Sequence, residues 1–242
     1  MAESFARLKE SFIFNFIEGA RWKYITNGLW VTLKVTFFAL LLGVAIGVVV
    51  AMIRSAYDQM KDEMKPGFGK TMLTVLNTIA RLYLTVIRGT PVVVQLLIGY
   101  FVIFVSTTNT VFVASMVFGI NSGAYITEII RGGIMSIDHG QFEAGRSLGF
   151  DYFQTMRFIV IPQAFKNVLP ALANEFIALL KETAVCGYIG LMDLTKGGDV
   201  IRGRTFSAFM PLIVVAALYL GLVIFFSWLV GKLERRLRSS ER

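Results

Sequence analysis

The sequence is poor in the side chains that build redox, metal and catalytic centres. It contains one cysteine, Cys186, and one histidine, His139, among 242 residues. A single cysteine forms no disulfide within its own chain and is typical of a small packed residue. An isolated histidine offers neither a zinc site nor a serine–histidine–aspartate triad. We therefore expect no catalytic residues and no metal site in this chain.

A nucleotide-binding loop is also absent. Residues 66–71 read PGFGKT, which is close to a phosphate-binding loop. That loop needs a glycine five residues before the glycine of the GK pair, and here Met64 occupies that position; it also needs a preceding strand. We therefore expect no cofactor to be bound by this chain.

Charged residues are scarce, whereas long apolar runs are abundant. Only 17% of residues are charged, against about 25% in soluble domains, and 55% are hydrophobic. The mean hydropathy is +0.66, which indicates a membrane protein. The net charge is +8, but the basic residues lie in the gaps between apolar runs, as in membrane flanks, and this pattern argues against nucleic-acid binding.

Five segments are long enough to cross a bilayer, which takes about 20 residues as a helix. They are residues 29–53, 71–106, 111–137, 164–190 and 206–230. The second is too long for one simple span and is interrupted by Arg81 and by RGTP at 88–91. It is either one long helix with a cytoplasmic extension or a hairpin of two short helices.

The distribution of positive charge favours one span in residues 71–106. The flanks of the resulting five spans then carry thirteen Lys and Arg on one side and seven on the other. The positive-inside rule places the richer side in the cytoplasm, with the N-terminus outside and the C-terminus inside. We predict an all-α integral membrane protein with an interfacial segment at 1–27 (Trp22, Tyr24 and Trp30 at headgroup level), a transmembrane domain at 28–232 and a basic cytoplasmic tail at 233–242.

Polar residues interrupt two of the predicted spans. Asn121, Tyr125 and Glu128 recur on one helix face, and Glu175 and Lys181 lie in the next span. Such groups either pair between packed helices or line a hydrated path for a polar solute, and their number favours the path. We expect helix breaks at Pro91 and, near the start of its helix, at Pro170. The predicted pathway residues are Asn121, Tyr125, Glu128, Glu175, Arg88, Thr90 and Lys181.

The sequence is compatible with either a cationic or a neutral solute. Glu128 and Glu175 would attract a cationic amino acid if they were free. Neutralisation by Arg88, Arg131 or Lys181 would instead leave a site for a neutral or cystine-like solute.

Residues 139–162, HGQFEAGRSLGFDYFQTMRFIVIP, form a structured polar loop on the predicted cytoplasmic side. We predict a short helix at 141–148 ended by a left-handed Gly149. Asp151 and Gln154 then form a capping box for a second helix, and Pro162 fits the first turn of the following membrane helix. This is a rigid knob suited to docking.

The loop resembles the EAA loop of ATP-binding-cassette (ABC) importer permeases. That motif is EAA, three residues, G, nine residues, I, one residue and LP, and its spacing matches the residues Glu143, Ala144, Gly145, Gly149, Ile159, Ile161 and Pro162. Gly145 replaces the third-position alanine and Ile161 replaces leucine. RGTPVVVQL, NSGAYITEIIRGG and LPALANEFIALLKET resemble the polar amino acid branch, whose members take up histidine, glutamine, arginine or cystine.

The resemblance implies a type I importer fold and a set of partners in a bacterial cytoplasmic membrane. Two permease copies, identical or closely related, would form the pathway, and an extracytoplasmic binding protein would deliver the amino acid. Two ATPase subunits, which bind ATP and Mg²⁺, would receive the coupling residues Glu143, Ala144, Gly145, Arg146 and Gly149. A rigid loop would transmit their closure to the helices.

Two other classes of membrane protein are alternatives to an ABC importer permease. A secondary transporter or channel without ATPase partners would show inverted repeats or a self-contained ion site, and five spans do not divide into equal halves. A structural or receptor subunit would not require charged residues such as Glu128, Glu175 and Lys181 inside the membrane.

Overall fold

The computed structural model describes residues 2–61 and 64–239, and within them every regular element is helical. Met1 of the predicted interfacial segment and the last three residues of the predicted tail, including Arg242, lie outside the described residues. The α-helices are α1 (Ala2–Phe12), α2 (Trp22–Met60), α3 (Phe68–Gly89), α4 (Val92–Ile98), α5 (Thr110–Met135), α6 (His139–Ser147), α7 (Tyr152–Thr155), α8 (Ile161–Glu182), α9 (Leu194–Thr205) and α10 (Phe209–Ser239).

Three of the described helices are long and apolar enough to cross a membrane. They are Trp22–Met60, Thr110–Met135 and Phe209–Leu237. A fourth span results if Phe68–Gly89 and Val92–Ile103, which meet at a sharp bend, count as one broken span. Residues 71–106 are therefore not one long helix.

The break follows from the chemistry of proline. Thr90 adopts extended backbone angles (φ −121°, ψ 144°) between the two helices. Pro91 lacks a backbone N–H and disfavours helical angles in the residue before it. The helix break expected at Pro91 is confirmed.

The segment predicted to span at 164–190 differs from the expectation. Its α-helix begins earlier, at Ile161, and ends at Glu182, and a 3₁₀ segment (Thr183–Ile189) follows. Pro170 lies inside this continuous helix, so the helix break expected at Pro170, near the helix start, is wrong. The reason is that α8 continues without a break from the π-helical turn Met156–Val160, which moves the helical start toward the loop.

The chain divides into two compact units. The first comprises the residues up to Ala39, Val92–Phe118 and Ile177–Trp228. Its apolar core includes Phe16, Leu194 and Ile201. Asp193 caps the start of α9 by accepting hydrogen bonds from the N–H groups of Thr195 and Lys196.

The second unit comprises Leu40–Pro91, Gly119–Phe176 and the chain from Leu229. Glycines spaced by four residues occur on both α2 and α5, and they face side chains of the neighbouring helices. A Cβ atom at Gly47 would lie 2.8 Å from Cβ of Ile126, and one at Gly123 would lie 2.9 Å from the Tyr83 hydroxyl oxygen. Small residues let membrane helices approach closely, so these glycines set the spacing that positions the polar cluster of this unit.

Candidate functional site

The polar cluster of the second unit is centred on Glu128, in α5. One carboxylate oxygen of Glu128 lies 3.8 Å from Nη1 of Arg88, and the other lies 3.7 Å from Nε of Arg131. The Glu128 side chain is about one-third exposed (31%), and that of Arg88 is nearly half exposed (45%). Because an arginine lies beside each of its oxygens, the negative charge of Glu128 is balanced within the cluster.

Arg131 extends the cluster to α2. Its Nη1 lies 3.1 Å from an Oδ2 atom of Asp58, 73 residues away in the sequence. Positive and negative groups therefore alternate from Arg88 through Glu128 and Arg131 to Asp58. The sequence analysis did not identify Asp58, because its charge lies at the end of an apolar run and no local pattern connects it to α5.

Tyr125 and Asn121 belong to the same helix as Glu128 but differ in exposure. The guanidinium of Arg88 lies 5.6 Å from the centre of the Tyr125 ring, within cation–π range. Tyr125 is 38% exposed, whereas Asn121 is buried. The predicted stripe is therefore exposed at Tyr125 and enclosed at Asn121.

Glu175 is brought to α5 by a residue that the sequence analysis missed. The hydroxyl of Ser122 donates a 2.8 Å hydrogen bond to Oε1 of Glu175. Ser122 is fully buried. Ser122 lies next to Asn121, but a lone serine inside a membrane helix commonly bonds its own backbone, so its partner was not predictable from the pattern.

The two remaining pathway residues lie at helix ends. Thr90 is exposed at the bend after α3, and its hydroxyl donates to the carbonyl of Val86 at 2.9 Å. Lys181 is exposed in the last turn of α8, within the first unit. The structure thus brings Arg88, Glu128 and Tyr125 together and adds Arg131 and Asp58 to them.

The loop at 139–162 begins with α6, whose two ends are both capped. The Asp138 carboxylate accepts a hydrogen bond from the N–H of Gly140 at 2.7 Å. At the other end Gly149 has a φ of 83°, and the N–H of Phe150 donates to the carbonyl of Gly145 at 3.0 Å. The N–H of Gly149 donates to the carbonyl of Arg146 at 2.9 Å, which completes a Schellman motif. The predicted left-handed Gly149 is confirmed.

The capping box is also confirmed. The N–H of Gln154 donates to Asp151 Oδ1 at 2.8 Å, and the Gln154 side chain accepts from the N–H of Asp151 at 2.9 Å. Tyr152, the first residue of α7, packs against the apolar cluster around Met156 and Val160. Burial raises the pKa of Tyr152 to about 12. The loop is therefore held by caps at its helix ends and by an apolar cluster beneath it.

The outer surface of α6 presents most of the predicted coupling residues to solvent. Glu143, Ala144, Arg146 and Gly149 are exposed, whereas Gly145 is buried. The Glu143 side chain is 71% exposed, and one of its oxygens lies 3.3 Å from Nδ1 of His139. Gly145 instead faces Thr155, where it lets the two short helices approach each other.

No metal centre emerges from these regions. Among residues 2–61 and 64–239, no group of three or more His, Cys, Asp and Glu side chains is arranged to hold a metal ion.

The described chain combines apolar helices, a cluster of alternating charges and a rigid capped loop. This combination is typical of a membrane transport component. A family described as "Binding-protein-dependent transport system inner membrane component" matches residues 70–239, and the chain belongs to this family. It is therefore an inner-membrane component of a transport system and not an enzyme.

Individual relatives are similar over most of their length. The chain is 36% identical over 217 residues to the "Putative glutamine transport system permease protein GlnP" of Rickettsia bellii, covering 88% of this chain and 93% of that protein. It is 34% identical to the "Arginine transport system permease protein ArtQ" of Bacillus subtilis (90% and 94%). It is 35% identical to the "Glutamine transport system permease protein GlnP" of Escherichia coli K12 (85% and 90%).

Solved structures agree in fold. The "Crystal structure of an amino acid ABC transporter with histidines" is 38% identical, with a TM-score of 0.79 and coverage of 91% of this chain and 98% of that one. The inward-facing MetNI methionine ABC transporter is 20% identical, with a TM-score of 0.74 and coverage of 89% and 97%. The similarity to the MetNI transporter concerns the fold alone.

Proposed function

We propose that this chain is the permease subunit of an ABC importer that moves a polar amino acid into the cytoplasm. A separate ATPase subunit, docked on the loop at 139–162, hydrolyses ATP with Mg²⁺. The observation that carries this proposal is the loop itself, a doubly capped helix that exposes Glu143 and Arg146. A short helix fixed at both ends transmits rigid-body motion, whereas an unstructured connection would absorb it. The names of the relatives support an amino acid as the solute.

The proposed topology has five spans, with the N-terminus outside and the C-terminus inside. The three long apolar helices supply three spans, and the bent pair at Thr90 and Pro91 supplies the fourth. We assign α8 as the fifth, although four charged residues interrupt it, because polar groups such as Glu175 are tolerated in a membrane where a neighbouring helix provides a partner. The excess of positive charge beside the loop supports its cytoplasmic location.

The proposed assembly contains two permease copies, identical or closely related, two ATPase subunits and an extracytoplasmic amino-acid-binding protein. The family description supports the binding protein, and the solved structure that is 38% identical is itself an amino acid ABC transporter. We assign Glu143, Ala144, Arg146 and Gly149 to the ATPase contact. Gly145 holds the shape of the loop from inside.

We further assign the polar cluster to the substrate pathway. The pathway would comprise Asn121, Tyr125, Glu128, Glu175, Arg88, Thr90 and Lys181. Because Glu128 already lies between Arg88 and Arg131, its charge is not available to select a cation. This arrangement favours an amino acid whose side chain has no net charge, such as glutamine, over arginine.

Copurification followed by reconstitution tests the proposal. The chain, carrying an affinity tag, is purified from its native membrane, and the complex is placed in proteoliposomes with the binding protein. We expect an ATPase subunit to copurify and labelled glutamine to accumulate only when ATP is present on the ATPase side. Purification without any nucleotide-binding subunit, or uptake independent of ATP, would contradict it.

A further inference from the structure

The helix α3 carries polar side chains along one exposed face. They recur every three or four residues, and each is exposed; they are Thr71, Thr74, Thr78, Arg81, Thr85 and Arg88. Residues at this spacing lie on the same face of a helix, and we call this set the α3 stripe. In the sequence Arg81 stands out only as an interruption of an apolar run, whereas the defined ends of α3 place it in a continuous row.

The other exposed face of α3 is apolar. Its side chains, each half exposed or more, are Met72, Val75, Ile79, Leu82 and Val86. On the remaining face Asn77, Ala80 and Leu84 are buried. Polar and apolar exposed residues are therefore separated around the helix. The apolar face suits contact with lipid, so the α3 stripe faces a different and polar environment.

Arg81 is a charged residue in the interior of α3. Four residues before it, Asn77 accepts a 2.8 Å hydrogen bond from Arg54 of α2. Two residues after it, the hydroxyl of Tyr83 donates to the carbonyl of Ile120 in α5 at 2.6 Å. Arg81 itself has no ion-pair or hydrogen-bond partner among residues 2–61 and 64–239. Because an unpaired arginine that faces lipid between packed membrane helices is costly, its guanidinium requires water or a polar solute.

The α3 stripe is continuous with the polar cluster around Glu128. Arg88, its last member, lies 3.8 Å from Glu128 and 5.6 Å from the centre of the Tyr125 ring. Arg81 lies two helical turns before Arg88, about 10 Å toward the start of α3. The hydroxyls of the first three threonines donate to carbonyls one turn earlier, so they have no hydrogen left to donate to a solute. The stripe is therefore polar and binds weakly except at its arginines.

We propose that the α3 stripe lines the cytoplasmic half of the solute pathway and that Arg81 binds the α-carboxylate of the amino acid as it leaves. The proposal rests on the proposed function, which places the start of α3 on the cytoplasmic side and makes an amino acid the solute. A guanidinium group forms two parallel hydrogen bonds with a carboxylate. Arg81 is available for them, whereas Arg88 and Arg131 lie beside Glu128. Every α-amino acid carries this carboxylate, so Arg81 acts on the common group and not on the side chain.

Cysteine reactivity tests whether the α3 stripe faces water. Thr78→Cys and Ile79→Cys are the matched pair, because both positions are exposed and Ile79 belongs to the apolar face. The complex in lipid nanodiscs is treated with a charged, membrane-impermeant methanethiosulfonate, with and without ATP, and modification of this chain is followed by mass spectrometry. Since the thiolate reacts and forms in water, Thr78→Cys should react about tenfold faster than Ile79→Cys in at least one state. Fully buried Cys186 gives the background in the unmodified complex. Equal rates in both states overturn the proposal.

Binding of tritiated L-glutamine to the same complex, without the extracytoplasmic binding protein, tests the role of Arg81. Equilibrium dialysis gives the affinity for glutamine, and competition gives the affinity for glutamine α-amide, which lacks the carboxylate. We expect the unmodified complex to prefer glutamine and Arg81→Gln to lose about tenfold in that preference, the loss expected for one charge-assisted hydrogen bond. Arg81→Lys, which keeps the charge, should retain most of the preference. Arg7→Gln is the control, because it removes an exposed arginine of α1 and should leave the preference unchanged.

Each remaining outcome of the binding experiment also decides. No saturable binding to the unmodified complex, or an unchanged preference in Arg81→Gln, overturns the proposal. Loss of bound anionic phospholipid from Arg81→Gln at an unchanged glutamine preference assigns Arg81 to a lipid headgroup and overturns it as well. Should Arg81→Gln fail to assemble, protection of Thr78→Cys by saturating glutamine decides instead, and its absence overturns the proposal. Failure here leaves the proposed function standing, since copurification and ATP-dependent uptake test that function separately.

Discussion

Gly145 and Thr155 are in direct contact across the loop at 139–162. A Cβ atom at Gly145 would lie 2.7 Å from Oγ1 and 2.8 Å from Cγ2 of Thr155, closer than side chains approach. Thr155 is 3% exposed, so it has little room to move away. Glycine in place of the third-position alanine is therefore a structural requirement of this loop and not a neutral replacement.

Gly145→Ala should destabilise the loop at 139–162. Forcing a methyl group into this contact costs about 1–3 kcal/mol, and the resulting shift of α6 should lower ATP-driven uptake. The melting temperature of the complex and the uptake rate measure both effects. Thr155→Ala should restore much of the loss in the double variant, because it removes the two closest atoms. Additive losses in the double variant would show that the two residues are not coupled.

The glycines between α2 and α5 permit a prediction with an internal control. Gly47→Ala places a methyl group against Ile126, whereas Gly221→Ala, in α10, meets nothing within 4 Å. Alanine is the better helix former by about 1 kcal/mol, so Gly221→Ala should leave thermal stability equal or higher. Gly47→Ala should lower it by about 1–3 kcal/mol through overpacking. Equal melting temperatures for the two variants would contradict the proposed role of Gly47 in close packing.

Local chemistry explains which features the sequence could predict. The left-handed Gly149, the capping box of Asp151 and Gln154 and the break at Pro91 each depend on residues within a few positions of one another. Such features are determined mainly by the backbone preferences and side-chain hydrogen bonds of those residues. They were predicted correctly.

Long-range contacts were harder to predict from the sequence. The Asp58–Arg131 pair joins residues 73 positions apart, and the Ser122–Glu175 bond joins residues 53 positions apart. Both depend on how closely α5 approaches its neighbours, which its glycines control. The helix break expected at Pro170 does not occur because a proline removes only one helical hydrogen bond, and membrane helices tolerate that loss where neighbouring groups compensate.

Glu143→Ala should uncouple transport from ATP hydrolysis. Glu143 is exposed on α6, and removing a charged anchor from a docking surface costs about 2 kcal/mol, roughly a thirtyfold loss of affinity for the ATPase. Uptake into proteoliposomes should fall, while the amount of chain inserted in the membrane should not change. Glu10→Ala, which alters an exposed glutamate of α1, is the control and should transport normally. Full uptake by Glu143→Ala would mean that Glu143 does not dock the ATPase.

Arg88→Gln should change the charge preference of the pathway. The substitution removes one of the two cations beside Glu128 and leaves its carboxylate more available to a cationic solute. The ratio of arginine uptake to glutamine uptake should rise about fivefold, equivalent to about 1 kcal/mol for a partly exposed ion pair. The double variant Arg88→Gln/Glu128→Gln should return the ratio toward its original value. An unchanged ratio in Arg88→Gln would remove Glu128 from the specificity-determining residues.

Asp193 makes the folding stability of the first unit depend on pH. Burial raises the pKa of Asp193 from 3.8 to about 6, although the N–H groups of Lys196 and Thr195 oppose the shift by hydrogen bonding to its carboxylate. Since the folded pKa exceeds the unfolded value, the associated stability is complete below about pH 4 and is lost as the pH rises through about 6. The effect is on the order of 3 kcal/mol at most.

Asp193→Asn keeps an oxygen for the N-cap of α9 but cannot ionise. Between about pH 4.5 and 7.5, the melting temperature of the unmodified complex should therefore fall relative to that of Asp193→Asn. The unmodified complex and the Asp193→Asn variant share all other titrating groups. The difference between their curves of melting temperature against pH therefore reports the ionisation of Asp193 alone. A difference that is constant with pH would show that the carboxyl group has the same pKa in the folded and unfolded chains.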